Sequence, residues 1–377
     1  MKFRRNTGIL LLCLGIIACN NKQKHEVIPT FHIKPNLKEI PCSASKILSN
    51  IKVVHLETTS NCLIGPFSAL IFVDNKHIIF RSEKRIIVFD NQGNYLNKID
   101  AVGKGPGEYN TIVNAYFDPV EEYIYIVDYN DIKIYNIDGN FIKSLTLSFS
   151  SSGIYRKSHG EMVIIYKQLY NKENRDMLSL LDSSFNIYHT FKSKNPDVCK
   201  DVQQNLFFAG TPYEINGRLF YVEPFVETIY EIIDTILVPH WSIKMGDIGF
   251  KTKDGINTSN YQKASDKIPP ISLHETEKYF FIDYMYNYAK YMSLYDKKGN
   301  KFIFHQKYTK EDFPNETVPV FGLNNDIIKN TPLFWPQYTN GNIIASVINL
   351  ASLSDNQLKE FNCNVEDNPI LFIGILK

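Results

Sequence analysis

The chain has 377 residues, with 41 basic and 40 acidic side chains and a formal charge of +1. Hydrophobic residues make up 44% and charged residues 21%, which excludes a wholly disordered chain. The near-neutral balance argues against a nucleic-acid-binding protein, which would carry a basic domain or stripe. Aromatic residues reach 13% of the chain, and this enrichment favours strands.

Residues 1–18 have the organisation of a secretory signal peptide. A basic start precedes an apolar run over residues 8–18, which is too short to cross a bilayer because a spanning helix needs about 20 apolar residues. The run ends in Ile16-Ile-Ala-Cys19, which resembles a bacterial lipobox, where the cysteine carries acyl chains such as palmitate. We therefore predict lipidation of Cys19, a membrane as its partner, and a lipidated polar tether over residues 19–48. The alternative is an ordinary signal peptide in which Cys19 is incidental.

Residues 49–377 consist of short strands separated by polar turns, and we predict one all-β propeller domain there. The clearest unit is residues 85–99, in which two strands flank the turn Asp90-Asn-Gln-Gly93. The same unit returns around Gly139, 46 residues after Gly93. A strand-rich repeat of this length is typical of a β-propeller, in which each repeat forms one four-stranded blade.

The count of inner strand pairs predicts six blades, although seven blades of about 47 residues would also fit the length. The sixth blade lacks an outer hairpin. We expect Pro369–Lys377 to take its place by pairing with Ile51–Glu57. Such closure would join the start of the domain to its end and remove the exposed edges of an open sheet.

Two segments depart from the repeat. A polar stretch near residues 245–277 shows no strand alternation, and we predict an insertion there that is long enough to overhang one end of the central channel. Residues 351–361 are predicted to form a short helix with a serine or aspartate near its start.

The stretch Gly103-Lys-Gly-Pro-Gly-Glu-Tyr109 resembles the G-x-G-P-G-E-[FY] signature of NHL-like propellers. More closely, nearly the whole mature chain is similar to the bacterial six-bladed β-propeller lipoprotein family, whose members are mostly of unknown function. The further motifs that carry this resemblance are His55–Thr59 with Leu63–Gly65, Ile86–Asp90, Asn325–Ile327 with Phe334–Pro336, and Glu366–Leu371. The resemblance implies a lipid-anchored envelope protein. Together with the absence of Asp after Cys19, it favours the outer membrane and leaves the periplasmic or surface face open.

The glycine-rich stretch and the cysteines each allow two interpretations. No helix pattern and no Gly-Lys-Ser/Thr follows the glycines, so a structural connection with Glu108 capping backbone N–H groups is favoured over ligand binding. Four cysteines remain in the mature chain besides Cys19, and they lack the paired spacing of a zinc site. Two disulfides or free thiols are both open for these residues, which are Cys42, Cys62, Cys199 and Cys363.

The search for linear catalytic motifs finds none. His274-Glu275-Thr-Glu-Lys278 has a lysine where a zinc protease motif needs its second histidine. Asp128-Tyr-Asn-Asp131 could bind Ca²⁺ or form a plain hairpin turn. The aromatic run Tyr279–Tyr288 could line a sugar or peptide groove, or could alternate along a blade strand. We therefore predict no metal and no cofactor, and the catalytic and ligand-binding residues are left unassigned.

Three functional hypotheses follow. The favoured one is a non-enzymatic binding or scaffold module on a lipid anchor, with an unknown ligand or protein partner held at one end of the central channel. The second is a propeller enzyme, either a lyase or a Ca²⁺-dependent lactonase-like hydrolase, with its site at the channel mouth. The third is an accessory protein that handles carbohydrate and binds a glycan.

Overall fold

The computed structural model describes residues 27–157, 160–166, 176–193, 210–250, 265–268, 271–312 and 321–377. The predicted signal peptide, Cys19 and Cys199 lie outside these ranges, as do residues 251–264 of the predicted insertion. Within them, the chain forms six small sheets arranged in a ring, which is a six-bladed β-propeller. The predicted all-β class and the count of six blades are confirmed.

The first three blades each consist of four consecutive antiparallel strands. Blade 1 contains β3 (Ser68–Val73), β4 (His77–Ser82), β5 (Arg85–Asp90) and β6 (Tyr95–Ile99). Blade 2 contains β7 (Asn114–Asp118), β8 (Tyr123–Asp128), β9 (Asp131–Asn136) and β10 (Phe141–Thr146). Blade 3 contains β11 (Ser151–Arg156), β12 (Met162–Tyr166), β13 (Asp176–Leu181) and β14 (Ile187–Lys192).

Of the other three blades, blades 4 and 6 each include a strand from the start of the chain, whereas blade 5 again consists of four consecutive strands. Blade 4 contains β15 (Thr211–Ile215), β16 (Arg218–Val222), β17 (Thr228–Ile233), β18 (Ile236–Lys244) and the additional strand β1 (Thr30–His32). Blade 5 contains β19 (Ser272–Glu275), β20 (Tyr279–Tyr286), β21 (Ala289–Asp296) and β22 (Lys301–Tyr308). Blade 6 contains β23 (Tyr338–Asn340), β24 (Ile343–Ile348), β25 (Ile370–Leu376) and β2 (Leu48–His55).

The burial of each strand follows its position in the blade. In β5 the four residues from Ile86 to Phe89 are all buried, because a middle strand packs against a neighbouring blade on each face. In the outermost strand β10, the residues from Phe141 to Ser144 are exposed. Continuous apolar runs therefore mark the middle strands, and polar residues mark the blade edges.

The outer hairpin turns are held by a repeated aspartate. In blade 1, Asp90 Oδ1 accepts hydrogen bonds from the backbone N–H groups of Gln92 (2.8 Å) and Asn94 (2.9 Å). Gly93 has a φ of 93°, and a Cβ there would lie only 2.0 Å from the carbonyl oxygen of His55. Glycine is therefore required at this turn by both the backbone conformation and the close approach of β2.

The ring closes as the sequence predicts. Strand β2 pairs antiparallel with β25, in a register that sets Val53 opposite Phe372, and β25 also pairs with β24. The first long strand of the domain thus becomes the outermost strand of the last blade. The closure leaves both ends of the propeller domain hydrogen-bonded within one sheet.

Asn368 joins the two sides of this closure, next to the start of β25. Its side-chain amide donates hydrogen bonds to the carbonyl oxygens of Glu57 (2.7 Å) and Cys62 (2.9 Å), and its Oδ1 accepts one from the N–H of Ile64 (2.8 Å). Its backbone N–H donates to Thr58 Oγ1 at 3.0 Å. Three of the motifs that carry the family resemblance therefore meet at one structural corner.

Replacing Asn368 with leucine tests this corner. The change keeps the approximate volume but leaves two carbonyl groups and one N–H group without their partners, so we expect the free energy of unfolding to fall by about 2 to 4 kcal/mol. Urea denaturation of the full chain measures it. Asn364→Leu is the matched control because the Asn364 side chain is exposed, and it should change stability by less than about 0.5 kcal/mol. Equal stability of the two variants would contradict the role of Asn368.

The predicted tether is shorter than residues 19–48. From residue 29 to residue 47 the chain forms an N-terminal strap that runs along the outside of blades 4, 5 and 6. Strand β1 pairs parallel with β18, and Phe31 stacks on Tyr295 with ring centroids 4.4 Å apart. Farther along, the Ile40 N–H donates to the His305 carbonyl at 2.9 Å, and Ser45 Oγ donates to Asp326 Oδ2 at 2.5 Å. The tether prediction is wrong for this part because its few buried apolar residues are scattered among polar ones.

The range predicted for the insertion, near residues 245–277, also includes part of a blade. Its last part forms β19 (Ser272–Glu275), the inner strand of blade 5, which pairs with β20. Residues 246–248 form a short 3-10 helix, and the Phe250 N–H donates to the Ile268 carbonyl at 2.9 Å. The four-residue strand is too short to produce a visible alternation in the sequence.

The predicted short helix is confirmed as α1 (Asp355–Glu360). Ser354 caps it, and the side chains of Ser354 and Gln357 form a reciprocal capping box. Three-residue 3-10 helices occur at Ala44–Lys46, Lys310–Asp312 and Leu350–Ser352. Among the residues described, we find no helix with the length and apolarity that crossing a membrane would require.

Candidate functional site

Each blade contributes an aromatic side chain from its inner strand to a cavity in the central channel. The cavity measures about 260 Å³ and extends to the ends of the inner strands, where Pro119, directly after β7, and Asn340, the last residue of β23, line it. The six aromatic side chains, one from each of blades 1 to 6 in order, are Phe72, Tyr116, Tyr155, Tyr213, His274 and Tyr338. We call these six side chains together the aromatic ring of the channel cavity, which is distinct from the ring formed by the six blades.

The inner strands hold these rings close together. Tyr116 follows the buried residue Ala115 on β7, and its ring centroid lies 5.3 Å from that of Tyr155 on β11. The ring centroids of Phe72 on β3 and Tyr338 on β23 lie 6.2 Å apart. Burial raises the pKa of the Tyr116 and Tyr155 hydroxyls, so both keep their protons and can donate hydrogen bonds to a ligand.

Blades 2 and 3 add an ion cluster beside the ring. Asp118 is fully buried at the end of β7, and its Oδ1 accepts from Arg156 Nε (3.1 Å) and the N–H of Val120 (3.0 Å). Arg156 also contacts Glu121 at 3.0 Å. The second oxygen of Asp118 has no hydrogen-bond partner among the described residues. Burial raises the pKa of Asp118, and this effect exceeds the stabilisation by its donors.

Blade 4 adds a carboxylate with no counter-ion. Glu214 lines the cavity from β15, and no described lysine, arginine or histidine lies within 4.0 Å of it. Desolvation raises the pKa of Glu214, and the nearby charge of Asp118 raises it further, although a hydrogen bond from the backbone N–H of Gly217 and the charge of Arg156 oppose the shift. Glu214 is therefore the accessible, unpaired acid of the site.

The carboxylate of Glu275, by contrast, has partners within the protein, at the interface between blades 4 and 5. Its buried carboxylate accepts a hydrogen bond from the Tyr213 hydroxyl, lies 2.8 Å from His240 Nε2 and forms an ion pair with Lys297. Burial lowers the pKa of Lys297, and the charge of Glu275 opposes that shift. The carboxylate of Glu275 thus fixes the orientation of Tyr213 and is not free for a ligand.

His274 separates the channel cavity from a second cavity of about 280 Å³ between blades 5 and 6, which we call the interblade cavity. His274 and Gln337 line both. Burial lowers the pKa of His274, so the imidazole is neutral at pH 7. In the interblade cavity, Lys290 pairs with Asp283 at 3.3 Å.

The glycine-rich stretch has the predicted structural role. Glu108 Oε2 accepts the Gly105 N–H at 2.7 Å, and a Cβ on Gly103 would lie 2.0 Å from the same oxygen. The buried Tyr109 hydroxyl donates to the Lys84 carbonyl at 2.8 Å. These residues connect blades 1 and 2 and do not line the channel cavity.

The other sequence candidates are also explained by structure. Asp128 Oδ2 accepts the Asn110 N–H at 2.7 Å, and Asp131 Oδ1 accepts the Thr146 hydroxyl at 2.6 Å, so this segment is a hairpin turn. The aromatic run Tyr279–Tyr288 lies mainly on β20, where Phe280 and Phe281 are buried between blades. No group of three or more metal-binding side chains occurs in the described part of the chain.

The cysteines that the structure describes are free thiols, namely Cys42, Cys62 and Cys363. Cys42 and Cys62 are buried. The Cys62 thiol donates to the Glu57 carbonyl at 3.0 Å. The free-thiol alternative is thus confirmed for these three residues.

Sequence reasoning predicted a binding site at one end of the channel but named none of the residues that line the channel cavity. Tyr116, Tyr155 and Glu214 lie on short inner strands whose sequences differ from blade to blade, so no linear motif marks them. The usable signal is positional, because an aromatic recurs on the first strand of each repeat.

Comparison with solved structures agrees with the fold. A protein of Bacteroides fragilis NCTC 9343, provisionally described as exported, is 21% identical, with a TM-score of 0.69 over 93% of this chain and 100% of that chain. A member of the DUF4221 family from Bacteroides vulgatus is 11% identical, with a TM-score of 0.52 over 91% and 99% of the two chains. No curated protein sequence matches the chain. A family model described as a domain of unknown function, DUF4934, matches residues 28–374, and the chain therefore belongs to the DUF4934 family.

Proposed function

We propose that this protein is a lipid-anchored β-propeller of the cell envelope that binds a small ligand in its channel cavity. The observation that carries the proposal is the aromatic ring, to which all six blades contribute. Binding sites are typically preformed, concave and largely apolar, with a few polar groups that orient the ligand. The aromatic ring supplies the apolar wall, and Glu214 with the tyrosine hydroxyls supplies the polar groups.

The size of the cavity limits what can enter. At about 260 Å³ it is slightly smaller than pockets that hold drug-sized ligands, which measure about 300 to 1,000 Å³. One side chain or one small molecule fits, whereas a folded partner could insert only a protruding residue. The ligand is thus small, or is a side chain of a larger partner.

The charged groups favour binding over catalysis. An acid–base mechanism that uses a pair of carboxylates needs a second accessible carboxylate besides Glu214. Asp118 is fully buried and held by Arg156, and Glu275 is used by its three partners. Glu214 is then the single carboxylate of this group that a ligand can reach.

An envelope location is supported by two observations. The similar Bacteroides fragilis protein is provisionally described as exported. The first 19 residues of this chain combine basic residues, an apolar run and a cysteine in the order of a lipoprotein signal. We propose that diacylated Cys19 anchors the propeller to the outer membrane.

Cys19→Ser tests the anchor. We expect the wild type to fractionate with membranes and to carry a thioether-linked diacylglycerol on Cys19, detectable by mass spectrometry of the mature N-terminus. The variant should appear in the soluble fraction, since stable anchoring depends on the acyl chains. Cys13→Ser is the matched control because Cys13 lies within the predicted signal peptide, and it should leave the protein in the membrane. Membrane retention of Cys19→Ser would refute the anchor.

Thr211→Trp tests the cavity as the binding site. Thr211 lines the cavity, and an indole there would fill much of the space. The full chain, purified in detergent, is incubated with envelope extract and washed, and the retained small molecules and glycans are identified by mass spectrometry. We expect a species that the wild type retains at a level at least about tenfold above that of Thr211→Trp, which corresponds to about 1.4 kcal/mol.

Ser144→Trp is the control for this experiment because Ser144 is exposed on the outer strand β10. It should retain the ligand as the wild type does, and circular dichroism should give the same melting temperature for all three proteins. Equal retention by Thr211→Trp, or no specific retention by the wild type, would count against a ligand-binding cavity.

A further inference from the structure

We propose that the channel cavity selects an alkylammonium group, because an unpaired carboxylate, Glu214, lies in a cavity walled by aromatic rings. The inference rests on the proposed binding function and names the chemical class of the ligand. A primary amine on a short alkyl chain, either a free diamine or a lysine side chain, has the required charge and width.

The charges around the cavity do not balance. Four carboxylates face it or adjoin it, and two cations accompany them. Arg156 forms ion pairs with Asp118 and Glu121, and Lys297 forms an ion pair with Glu275. Glu214 is left without a counter-ion.

Two further groups fit a cationic ligand. Asp118 Oδ2 is buried and has no hydrogen-bond partner within the described ranges. It adds negative potential beside Glu214, whose pKa it raises. His274 is neutral because burial lowers its pKa, so it does not repel a cation. Arg156 lines the cavity, but its charge is shared by Asp118 and Glu121, so an incoming ammonium group would supply the positive charge that Glu214 lacks.

The aromatic ring distinguishes a cation from other ligands. The faces of tyrosine and phenylalanine attract a cation by about 0.5 to 2 kcal/mol per favourable contact, and more when water is excluded. A neutral sugar would also stack on these rings, but it would leave the charge of Glu214 uncompensated. An anion would be repelled by Glu214 and Asp118. An alkylammonium group is the class that satisfies both the rings and the carboxylate.

The proposal has a pH dependence with a defined sign. Glu214 attracts the ammonium group only when it is deprotonated, so the affinity should be highest above its raised pKa and should fall as the pH is lowered through it. The charged or titratable groups that act on Glu214, or on which it acts, are Asp118, Arg156, Tyr116 and Tyr338. Protonation of His274 at low pH would add repulsion of the same sign.

Isothermal titration calorimetry on the full chain in detergent tests the selection. The probes are 1,4-diaminobutane and N-acetyl-lysine methylamide, with N-acetyl-norleucine methylamide as the uncharged analogue of the lysine probe. We expect at least one amine probe to bind at least tenfold more tightly than the norleucine probe. Binding of the diamine alone would identify a free amine as the ligand, and binding of the lysine probe would identify a side chain.

Glu214→Gln should weaken amine binding at least tenfold, because it removes the charge and keeps the shape. Glu122→Gln is the matched control, since Glu122 lies in an exposed turn beside Lys76 and should leave the affinity unchanged. Tyr116→Leu, which keeps Glu214 but removes one aromatic face, should weaken binding severalfold, whereas Tyr116→Phe should retain it. If Glu214→Gln alters the melting temperature, the amine affinities of Tyr116→Leu and Tyr116→Phe test the site in its place.

The inference is overturned if the norleucine probe binds as tightly as the amines, if Glu214→Gln binds amines like the wild type, or if neither amine binds. Retention of a neutral or anionic species that Thr211→Trp loses would overturn the amine selection and leave the proposed binding function intact. If no amine binds and the wild type retains no species that Thr211→Trp loses, both the amine selection and the proposed binding function are refuted.

Discussion

The whole propeller depends on the pairing of β2 with β25. A blade buries both of its faces only against its two neighbours, so six blades are stable when the ring is closed and expose two apolar faces when it is open. In this chain one antiparallel pair, formed by segments from opposite ends of the domain, provides that closure. The contacts of Asn368 with the segment after β2 and of Gly93 with His55 add to the same seam. Several motifs that carry the family resemblance therefore report on ring closure and not on chemistry.

Closure also determines the path of the N-terminal segment. Because β2 is the outer strand of blade 6, the chain before it must approach along the outside of the ring. It does so as the N-terminal strap, whose first strand β1 pairs with blade 4. With the proposed anchor at Cys19, Thr30 is the eleventh residue after the lipidated one, a span of about 40 Å at most when fully extended. The edge of blade 4 would then be held near the membrane, much closer than a free tether to residue 48 would allow.

The fold was largely predictable from the sequence, and the reasons are local. Aspartate-containing turns such as Asp90–Gly93 indicate the outer hairpins, and apolar runs such as Ile86–Phe89 indicate the middle strands. Strands β1 and β19 were missed because three or four residues are too few to show a period. The site residues were missed for another reason. Tyr116, Glu214 and their partners are brought together by the ring from separate blades, and no spacing along the chain encodes that meeting.

The two carboxylates Glu214 and Glu275 illustrate how the site differs from the rest of the interior. Glu275 is buried with a hydroxyl, an imidazole and an ammonium group around it, so its charge is compensated within the protein. Glu214 has no such ion pair: it accepts a hydrogen bond from the backbone N–H of Gly217, its side chain stays exposed to the cavity, and desolvation still raises its pKa. A ligand that carries a positive charge would supply the counter-ion that the protein does not place beside it.

The distribution of the charged groups around the ring makes the cavity asymmetric. Blades 2, 3 and 4 carry Asp118, Arg156 and Glu214. Blade 5 presents the neutral His274 and Glu275, whose charge Lys297 compensates, and blades 1 and 6 present the uncharged rings of Phe72 and Tyr338. A propeller gives each blade an equivalent inner strand, so a symmetric channel would hold an elongated ligand in any rotation about its axis. For the proposed alkylammonium ligand, the acidic side would fix where the charged head lies, and the aromatic side would pack against the alkyl portion. The repeated fold supplies the opening, and the differences between repeats would set the direction in which such a ligand is held.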